Sequence, residues 1–452
     1  MIGWKIWRMF SKLREYDPDK SDKIRGWMSQ EKPATNLSVN DAKEKILASL
    51  SPAEAESIPI ISASRRILAE IIQSSTDLPS FSNSSMDGFA LKAADLQKAS
   101  LDKPVDLKVV GDIPAGKYPT IVLQSGQAAR IMTGAVLPDG ADAVIPVEDT
   151  DQFLEGKRFN PTLPDRVKTY KRISPGENVR LIGKDLKKDD IVLRPGRLLH
   201  PQDIGLLAML GIREVRVYRR PKIAMISTGD ELIPLGMKLL PGMIHDSNAY
   251  TLSSQIDRDG GEPYYLGIAR DDEDSIRKLL DQAFDSKADL ILSTAGVSVG
   301  AFDYVRRVVE QNGELGFWRV NIRPGKPLLF GHYRRVPFIG LPGNPVSAFV
   351  GYEVFIRPAI QKISGGKIHA RKTTPVILSE AIESDGRESY LRGYVEKRSG
   401  IWMARLTGHQ GSGNLLSLVQ ANALLIIPSE VKSLPSGAEV DAWLIGDVGE
   451  GI

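Results

Sequence analysis

Three passages between residues 222 and 363 run from a short apolar strand through a glycine-rich loop into a helix, and they restrict the chain to few folds. Lys222-Ile-Ala-Met-Ile-Ser227 leads into Thr228-Gly-Asp-Glu231. Asp289-Leu-Ile-Leu-Ser293 leads into Thr294-Ala-Gly-Val-Ser-Val-Gly-Ala-Phe-Asp303. Val336-Pro-Phe-Ile339 leads into Gly340-Leu-Pro-Gly-Asn-Pro345. In a parallel α/β sheet such loops gather outside the carboxyl ends of the strands, where ligands bind. Helix N-termini and free backbone N–H groups there attract anions. Asp230, Glu231 and Asp303 add carboxylates to the same loops. A place that holds both phosphate and carboxylates calls for a divalent cation between them. The expectation is chemistry on a phosphorylated ligand.

A chain of 452 residues is too long for one core, so two to four domains are expected. With 42% hydrophobic and 25% charged residues, the composition is that of a globular protein. No run of about eighteen apolar residues marks a membrane-spanning helix, and the N-terminus lacks the apolar core of an export signal. A cytoplasmic protein without stable membrane association is expected. The absence of cysteine excludes disulfides, thiolate zinc sites and cysteine nucleophiles together. The five histidines form no close pair, so a metal should be hard and oxygen-bound, magnesium before zinc. Residues 1–36 hold eight Lys/Arg against five Asp/Glu, leaving 51 of each over the rest. The body therefore carries no net basicity for nonspecific nucleic-acid binding.

Residues 1–36 read as a basic N-terminal tail. A helix is predicted over 37–50, capped by Ser38 or Asn40, and another around Ala63–Ile72. Residues 79–178 carry short strand-like runs at Leu107–Val110, Gln127–Met132, Ala143–Val147 and Arg166–Ile173, which predicts a β-rich domain. A helix over Pro201–Leu210 and a strand over Glu214–Tyr218 follow. Strands and helices then alternate through 220–366, with helices predicted at Ser247–Asp257, Glu273–Phe284 and Tyr304–Gln311, a strand at Glu262–Ile268, and a long helix from Pro345 to Gly365-Gly366. Such alternation means βαβ units and a mostly parallel sheet. Residues 372–452 read as a small C-terminal β-barrel.

Each site candidate has a plainer reading beside it. Asp87-Gly88 is a common turn signal, though an acid at such a turn can project into a cleft. Thr133-Gly134 ends a strand, and a strand end is all that it need be. Asp230 and Glu231 leave a wholly apolar strand, where they could serve a metal or cap the next helix. The glycines at 296 and 300 and the hydroxyls around them suit a phosphate cradle, or only a tight connection. Asp303 lies at or near the first turn of the helix that follows, where it could act on a ligand or be the N-cap. Pro324-Gly-Lys-Pro327 and Gly340-Leu-Pro-Gly-Asn-Pro345 are rigid turns that together suggest a shaped ligand wall.

Taken in order, Ser85-Met-Asp-Gly-Phe-Ala90, Arg130-Ile-Met-Thr-Gly-Ala135, Ser227-Thr-Gly-Asp-Glu-Leu232, Asp246-Ser-Asn248, Pro324-Gly-Lys-Pro327 and Gly340-Leu-Pro-Gly-Asn-Pro-Val-Ser347 resemble the molybdopterin molybdenumtransferase family. The likeness covers roughly 37–452. It implies a bipartite helical linker (37–78 and 179–219), a β-rich domain (79–178), a molybdopterin-binding α/β domain (220–366) and a C-terminal β-barrel (372–452). It further implies a homodimer with a shared active-site cleft and an enzyme that supplies adenylated molybdopterin. The reaction implied takes that adenylate and molybdate, uses Mg2+, and yields molybdenum cofactor and AMP. By matching motif positions, the catalytic set carried over is Asp87, Thr133, Asp185, Glu231, Asp271 and Asp303, with Glu231 and Asp303 holding the metal. Ser293, Gly296, Ser298 and Gly300 would hold the phosphate and pterin side. Arg319, Arg323 and Lys326 would hold anions, and Pro342 and Pro345 would stiffen the wall.

The chain departs from the family pattern in three places. Ala295-Gly296 stands where Gly-Gly is usual, so residue 295 must adopt a right-handed or extended conformation. Arg319 and Arg323 stand where lysines are usual; guanidinium still binds oxyanions but could shift their preference. Lys184 replaces an acid before Asp185. A tungstate-preferring transferase and a non-catalytic molybdopterin-binding scaffold are the alternatives; retention of all five acids argues against the second.

Overall fold

The computed structural model describes residues 36–153, 162–295 and 299–446, with backbone alone at 295 and 299–302. The basic tail expected at 1–36 lies outside the described residues, as do Gly296 and Ser298. The chain forms two compact units, Ala55–Val217 and the remainder.

Within 55–217, the main element is a five-stranded sheet of β1 (Gly88–Leu91), β2 (Val105–Ile113), β3 (Gln127–Ile131), β4 (Ala143–Pro146) and β5 (Arg166–Thr169), in the order β4-β1-β3-β2-β5. Only the β2–β3 pairing is parallel. Phe89, Leu91, Leu107, Ala128, Ile145 and Val167 bury one face. Ala90, Ala129, Ile131 and Val144 bury the other, as the period-two alternation of strands requires. The helix expected around Ala63–Ile72 does not form. A 3-10 turn at Ile60–Ser62 precedes that stretch, which makes single antiparallel bridges from Ile67 to Leu198 and from Leu68 to Val217 and ends in a short strand at Ile72–Gln73 paired with Ile191–Leu193. Its apolar residues Ala63, Leu68 and Ile72 instead pack with Leu199, Leu207, Val215 and Val217. Burial against neighbouring strands has overridden a weak helical period. Leu207 in that cluster comes from α2 (Pro201–Met209), the helix predicted there.

The other unit opens with α1 (Val39–Ala48), whose N-cap Ser38 accepts from the Asp41 N–H at 3.1 Å. Val39, Ala42 and Ile46 lay one face of it into the α/β core. A six-stranded sheet comprises β6 (Lys222–Thr228), β7 (Glu262–Ala269), β8 (Leu290–Ala295), β9 (Gly313–Arg319), β10 (Pro327–Tyr333) and β11 (Val336–Pro342), ordered β7-β6-β8-β11-β10-β9. The first four are parallel; β10 and β9 add an antiparallel edge. Two layers of helix cover it. α3 (Asn248–Arg258), α6 (Pro345–Gly351) and α7 (Arg357–Ile363) share one core, while α4 (Glu273–Asp285) and α5 (Val299–Asn312) share the other. The long helix predicted after Pro345 is one continuous rod, but it widens into a π-helical turn over Tyr352–Ile356.

Chain order reverses between β6 and β8, since β6 leads outward to β7 while β8 lies on its other side. A crevice opens outside the carboxyl ends at such a switch point. Beyond it, β12 (Thr373–Leu378), β13 (Glu388–Arg398), β14 (Ile401–Leu406), β15 (Ala423–Ile427) and β16 (Glu439–Leu444) close on themselves as β13-β14-β12-β16-β15-β13. This is the five-stranded barrel expected from the C-terminal strand pattern.

Candidate active site

The chain leaves β6 through Thr228, buried, and turns at Gly229, with φ +148°. The turn brings the Glu231 carboxylate back across Gly229 and leaves Asp230 exposed. Asp271 follows the neighbouring strand β7, and its backbone N–H donates to Asp230 Oδ1 at 3.3 Å. Burial, then the negative charge of Asp230 and Glu231, raises the Asp271 carboxyl above its usual range. Its Oδ1 is buried with no hydrogen-bond partner. An orphaned carboxylate oxygen beside two further acids suits a hard cation, which would supply the missing partner and offset the repulsion. Among the described residues no three acidic or imidazole side chains already converge as a complete ligand set.

Ala295 is the last residue of β8, in register with Thr228 and Pro342, so its backbone is extended. The Ala-for-Gly departure therefore costs no strain. Ser293 lies inside the same strand, buried, with an unpartnered Oγ. Gly300 is the second residue of α5, and Asp303 is its fifth. Asp303 thus stands past the first turn and cannot be the N-cap, because the helix begins at Val299, five residues before the predicted Tyr304. Asn248, at the start of α3, donates through Nδ2 to the Gly343 carbonyl at 2.7 Å.

A cavity of about 280 Å³ lies between β11, the Pro324-Gly-Lys-Pro327 turn and the barrel. Arg323, Lys326, Arg387 and Arg392 bring four cations to it, with Asn344 and Ser412 among its polar groups. Arg392 is 1% exposed, and its guanidinium donates to Ser417 Oγ at 3.1 Å and to the carbonyls of His409 and Gly411 at 3.3 and 2.9 Å. No carboxylate pairs with it among the described residues. Burial, then repulsion from Arg323, pushes its pKa down to about 10. A buried cation without a counter-ion is costly alone and favourable once an anion arrives. Pro342 lines the cavity, whereas Pro345 opens α6 at its first position. Arg319 does not join Arg323 and Lys326; it is exposed, stacked 3.8 Å from the centroid of the Trp318 ring.

In the unit 55–217, Asp87 Oδ1 accepts from both the backbone N–H and the hydroxyl of Thr133, at 2.8 and 2.7 Å. Gly88 is no turn here. It enters β1 so close to β4 that a β-carbon would meet the Ile145 carbonyl oxygen at 1.9 Å. Asp185 is exposed and ion-paired with Arg180.

Arg387, Arg392, Asn344 and Ser412 escaped the sequence reading. One signal was present. Arg392 interrupts the apolar run Tyr390-Leu-Arg-Gly-Tyr-Val395, and a charge within such a strand points inward for a reason.

Three family models match in the order the fold requires: the MoeA N-terminal region (domain I and II) over 37–211, a probable molybdopterin binding domain over 224–362, and the MoeA C-terminal region (domain IV) over 375–445. These define a multidomain protein built around a molybdopterin-binding α/β domain. The chain is 37% identical over 398 residues to the molybdopterin molybdenumtransferase of a Nostoc species, covering 86% of this chain and 88% of that one. It is 36% identical over 411 residues to that of Haemophilus influenzae, covering 89% and 97%. A crystal structure of a molybdopterin biosynthesis MoeA protein from Pyrococcus horikoshii matches with a TM-score of 0.75 at 30% identity, covering 91% of this chain and all of the other. The chain belongs to the molybdopterin molybdenumtransferase family.

Proposed function

We propose that this enzyme completes molybdenum cofactor: it takes adenylated molybdopterin and molybdate, cleaves the adenylate, and leaves molybdenum on the dithiolene with release of AMP. The observation that carries the reading is the pairing, within one unit, of an acid cluster at the β6–β7 edge with a pocket lined by four cations, of which Arg387 is ion-paired with Asp385 and the buried Arg392 with no carboxylate among the described residues. The pocket suits a tetrahedral dianion, because guanidinium groups donate in planar forks to oxyanions. Arg392 holds its charge ready, and Asn344 and Ser412 supply neutral donors. Molybdate is taken as substrate there.

Glu231 and Asp303 would hold Mg2+, with the orphaned oxygen of Asp271 adding charge nearby. The ion, when bound, neutralises phosphate charge and so eases phosphoanhydride cleavage. A water oxygen attacks the pterin-side phosphorus and forms a new oxygen–phosphorus bond as the bond from that phosphorus to the bridging oxygen breaks, so AMP leaves with the bridging oxygen. At the dithiol, two sulfur–molybdenum bonds form as one molybdate oxide leaves as water with the two thiol protons, without change of oxidation state. Asp87 orients the attacking oxygen or takes its proton, and Thr133 fixes the carboxylate in one rotamer for that task. Segment 296–300 binds the phosphate and pterin side, and Asp185 stays in the acid set. Pro342 shapes the wall of the pocket.

A homodimer, a partner enzyme supplying the adenylate and a cytoplasmic place of work complete the reading. Leu235, Met237, Leu239 and Leu240 in one loop and Ile244 in the short strand that follows it are all more than half exposed, which favours association of two copies. No helix among the described residues is long and apolar enough to cross a membrane.

The deciding experiment gives the purified protein adenylated molybdopterin, Mg2+ and either molybdate or tungstate, and follows AMP and cofactor. Oxyanion-dependent release that disappears in Glu231→Ala supports the reading and identifies the preferred oxyanion. Tight pterin binding without turnover on either oxyanion would sink it.

A further inference from the structure

The cationic pocket is assembled from two folding elements. Lys326, Asn344 and Ser347 belong to the α/β domain, whereas Arg387, Arg392, Gln410 and Ser412 belong to the barrel, and the strand Ile322–Arg323 joins the barrel sheet beside β13. Its geometry therefore depends on how the barrel is held. At the pocket itself Ile322-Arg323 pairs in parallel with Glu388-Ser389 of β13, and Tyr390, Leu418 and Leu424 of the barrel share the α/β core. Asn344 Nδ2 also donates to Ser412 Oγ at 2.7 Å, the Val346 N–H to the Ser412 carbonyl at 3.0 Å, and Arg387 Nη1 to the Ile322 carbonyl at 3.0 Å.

A second attachment lies farther along the same helical rod. Glu353, in the π-helical turn after α6, has a side chain with no exposed surface. Its Oε1 accepts from Gln255 Nε2 at 3.0 Å and from Arg258 Nη2 at 2.8 Å, both on α3. Its Oε2 accepts from Arg371 Nε at 3.0 Å. Arg371 stands in the connection that enters the barrel, and its Nη1 donates to the carbonyl of Leu444, the last residue of β16, at 2.9 Å. One guanidinium thus bridges a buried carboxylate of the α/β domain to the final barrel strand. Buried ion pairs seldom add net stability over apolar packing of the same volume, so stability alone does not account for this one. What a planar fork adds is fixed orientation. A π-turn inside a helix is also a frequent mark of a functional site.

We propose that Arg371 is a positioning residue for oxyanion capture: by clamping β16 to Glu353 it holds the barrel, and with it Arg323, Arg387 and Arg392, in register with Lys326, Asn344 and Ser347 of the α/β domain. The proposal rests on the pocket being the oxyanion site.

The test is calorimetric titration of the full-length protein with sodium molybdate, beside melting curves and binding of adenylated molybdopterin. Arg371→Met is expected to bind molybdate roughly tenfold more weakly while keeping its affinity for the adenylated pterin, because small displacements of binding groups are costly. Arg371→Lys, which restores charge without the fork, is expected to fall between, and it carries the test if the Met variant does not fold. Arg392→Gln is the control on the pocket. If Arg392→Gln weakens molybdate binding and folded Arg371 variants do not, the positioning role is overturned. If Arg392→Gln binds like the wild type, the pocket reading has failed, and the proposal falls with it.

Discussion

The Glu231 carboxylate lies over the α-carbon of Gly229, so close that a β-carbon built there would come within 2.5 Å of Oε2. The positive φ of +148° at Gly229 is also one that other residues rarely adopt. Gly229→Ala is therefore expected to displace Glu231 and lower AMP release on the order of a hundredfold, as far as Glu231→Ala does. Wild-type turnover in a folded Gly229→Ala enzyme would show that the Glu231 position is unimportant.

Thr133 is exposed, so its hydroxyl adds little to stability, yet it donates to the same Asp87 oxygen as its own N–H. Thr133→Val should lower turnover about tenfold with an almost unchanged melting temperature, and Thr133→Ser should restore it. Asp87→Asn is expected to cost more, about a hundredfold or beyond, if the carboxylate handles a proton. Single-turnover AMP release measures both.

Asp271 is a stability liability in the metal-free protein. Its folded pKa stands above the usual 3.8, chiefly through burial. Stability tied to its protonated form is thus present below 3.8 and lost as pH rises through the higher folded value. In EDTA at neutral pH, Asp271→Asn is expected to melt higher than the wild type, with the gap closing toward acid. Mg2+ should stabilise the wild type more than the variant. A variant that melts lower in EDTA would contradict the assignment of strain to this carboxylate.

Arg130 grips Asp112 in a fork, Nε to Oδ1 at 2.9 Å and Nη2 to Oδ2 at 2.6 Å. The hydrogen bonds from Arg130 hold the Asp112 carboxyl below its usual range. That stability is present above 3.8 and lost as pH falls through the lower folded value. Since Asp112 is partly exposed, Arg130→Met is expected to cost only about 1 kcal/mol at pH 7. Urea unfolding should show that difference shrinking in acid; a difference independent of pH would mean that packing, not charge, holds the pair.

Much of the fold was legible because it rests on local periodicity. The wholly apolar strands β6, β8 and β11 read as buried parallel strands, and α4 read from Ile276, Leu280 and Ala283 at helical spacing. Asp272 capping α4 through the Ser275 N–H is the same kind of signal. The Ala63–Ile72 helix failed where such periodicity was weak and neighbouring strands offered better burial. Asp303 was misplaced within α5 because Val299-Gly300, which looks like loop chemistry, is already the first turn of the helix. Gly88 looked like a turn because the approach of β4, set by a strand some 55 residues away, cannot be seen in a hexapeptide.

By itself, the sequence determined the strand–loop–helix units, the acids that leave them and the family motifs, since each depends on neighbours within a few residues. Only the tertiary structure decided the cationic pocket. It draws Arg323 and Lys326, Asn344 and Ser347, Arg387 and Arg392, and Ser412 from four stretches of chain, while turning Arg319 away onto Trp318. No short-range pattern encodes which cations face one another across a domain boundary; that follows from where the barrel closes and what clamps it.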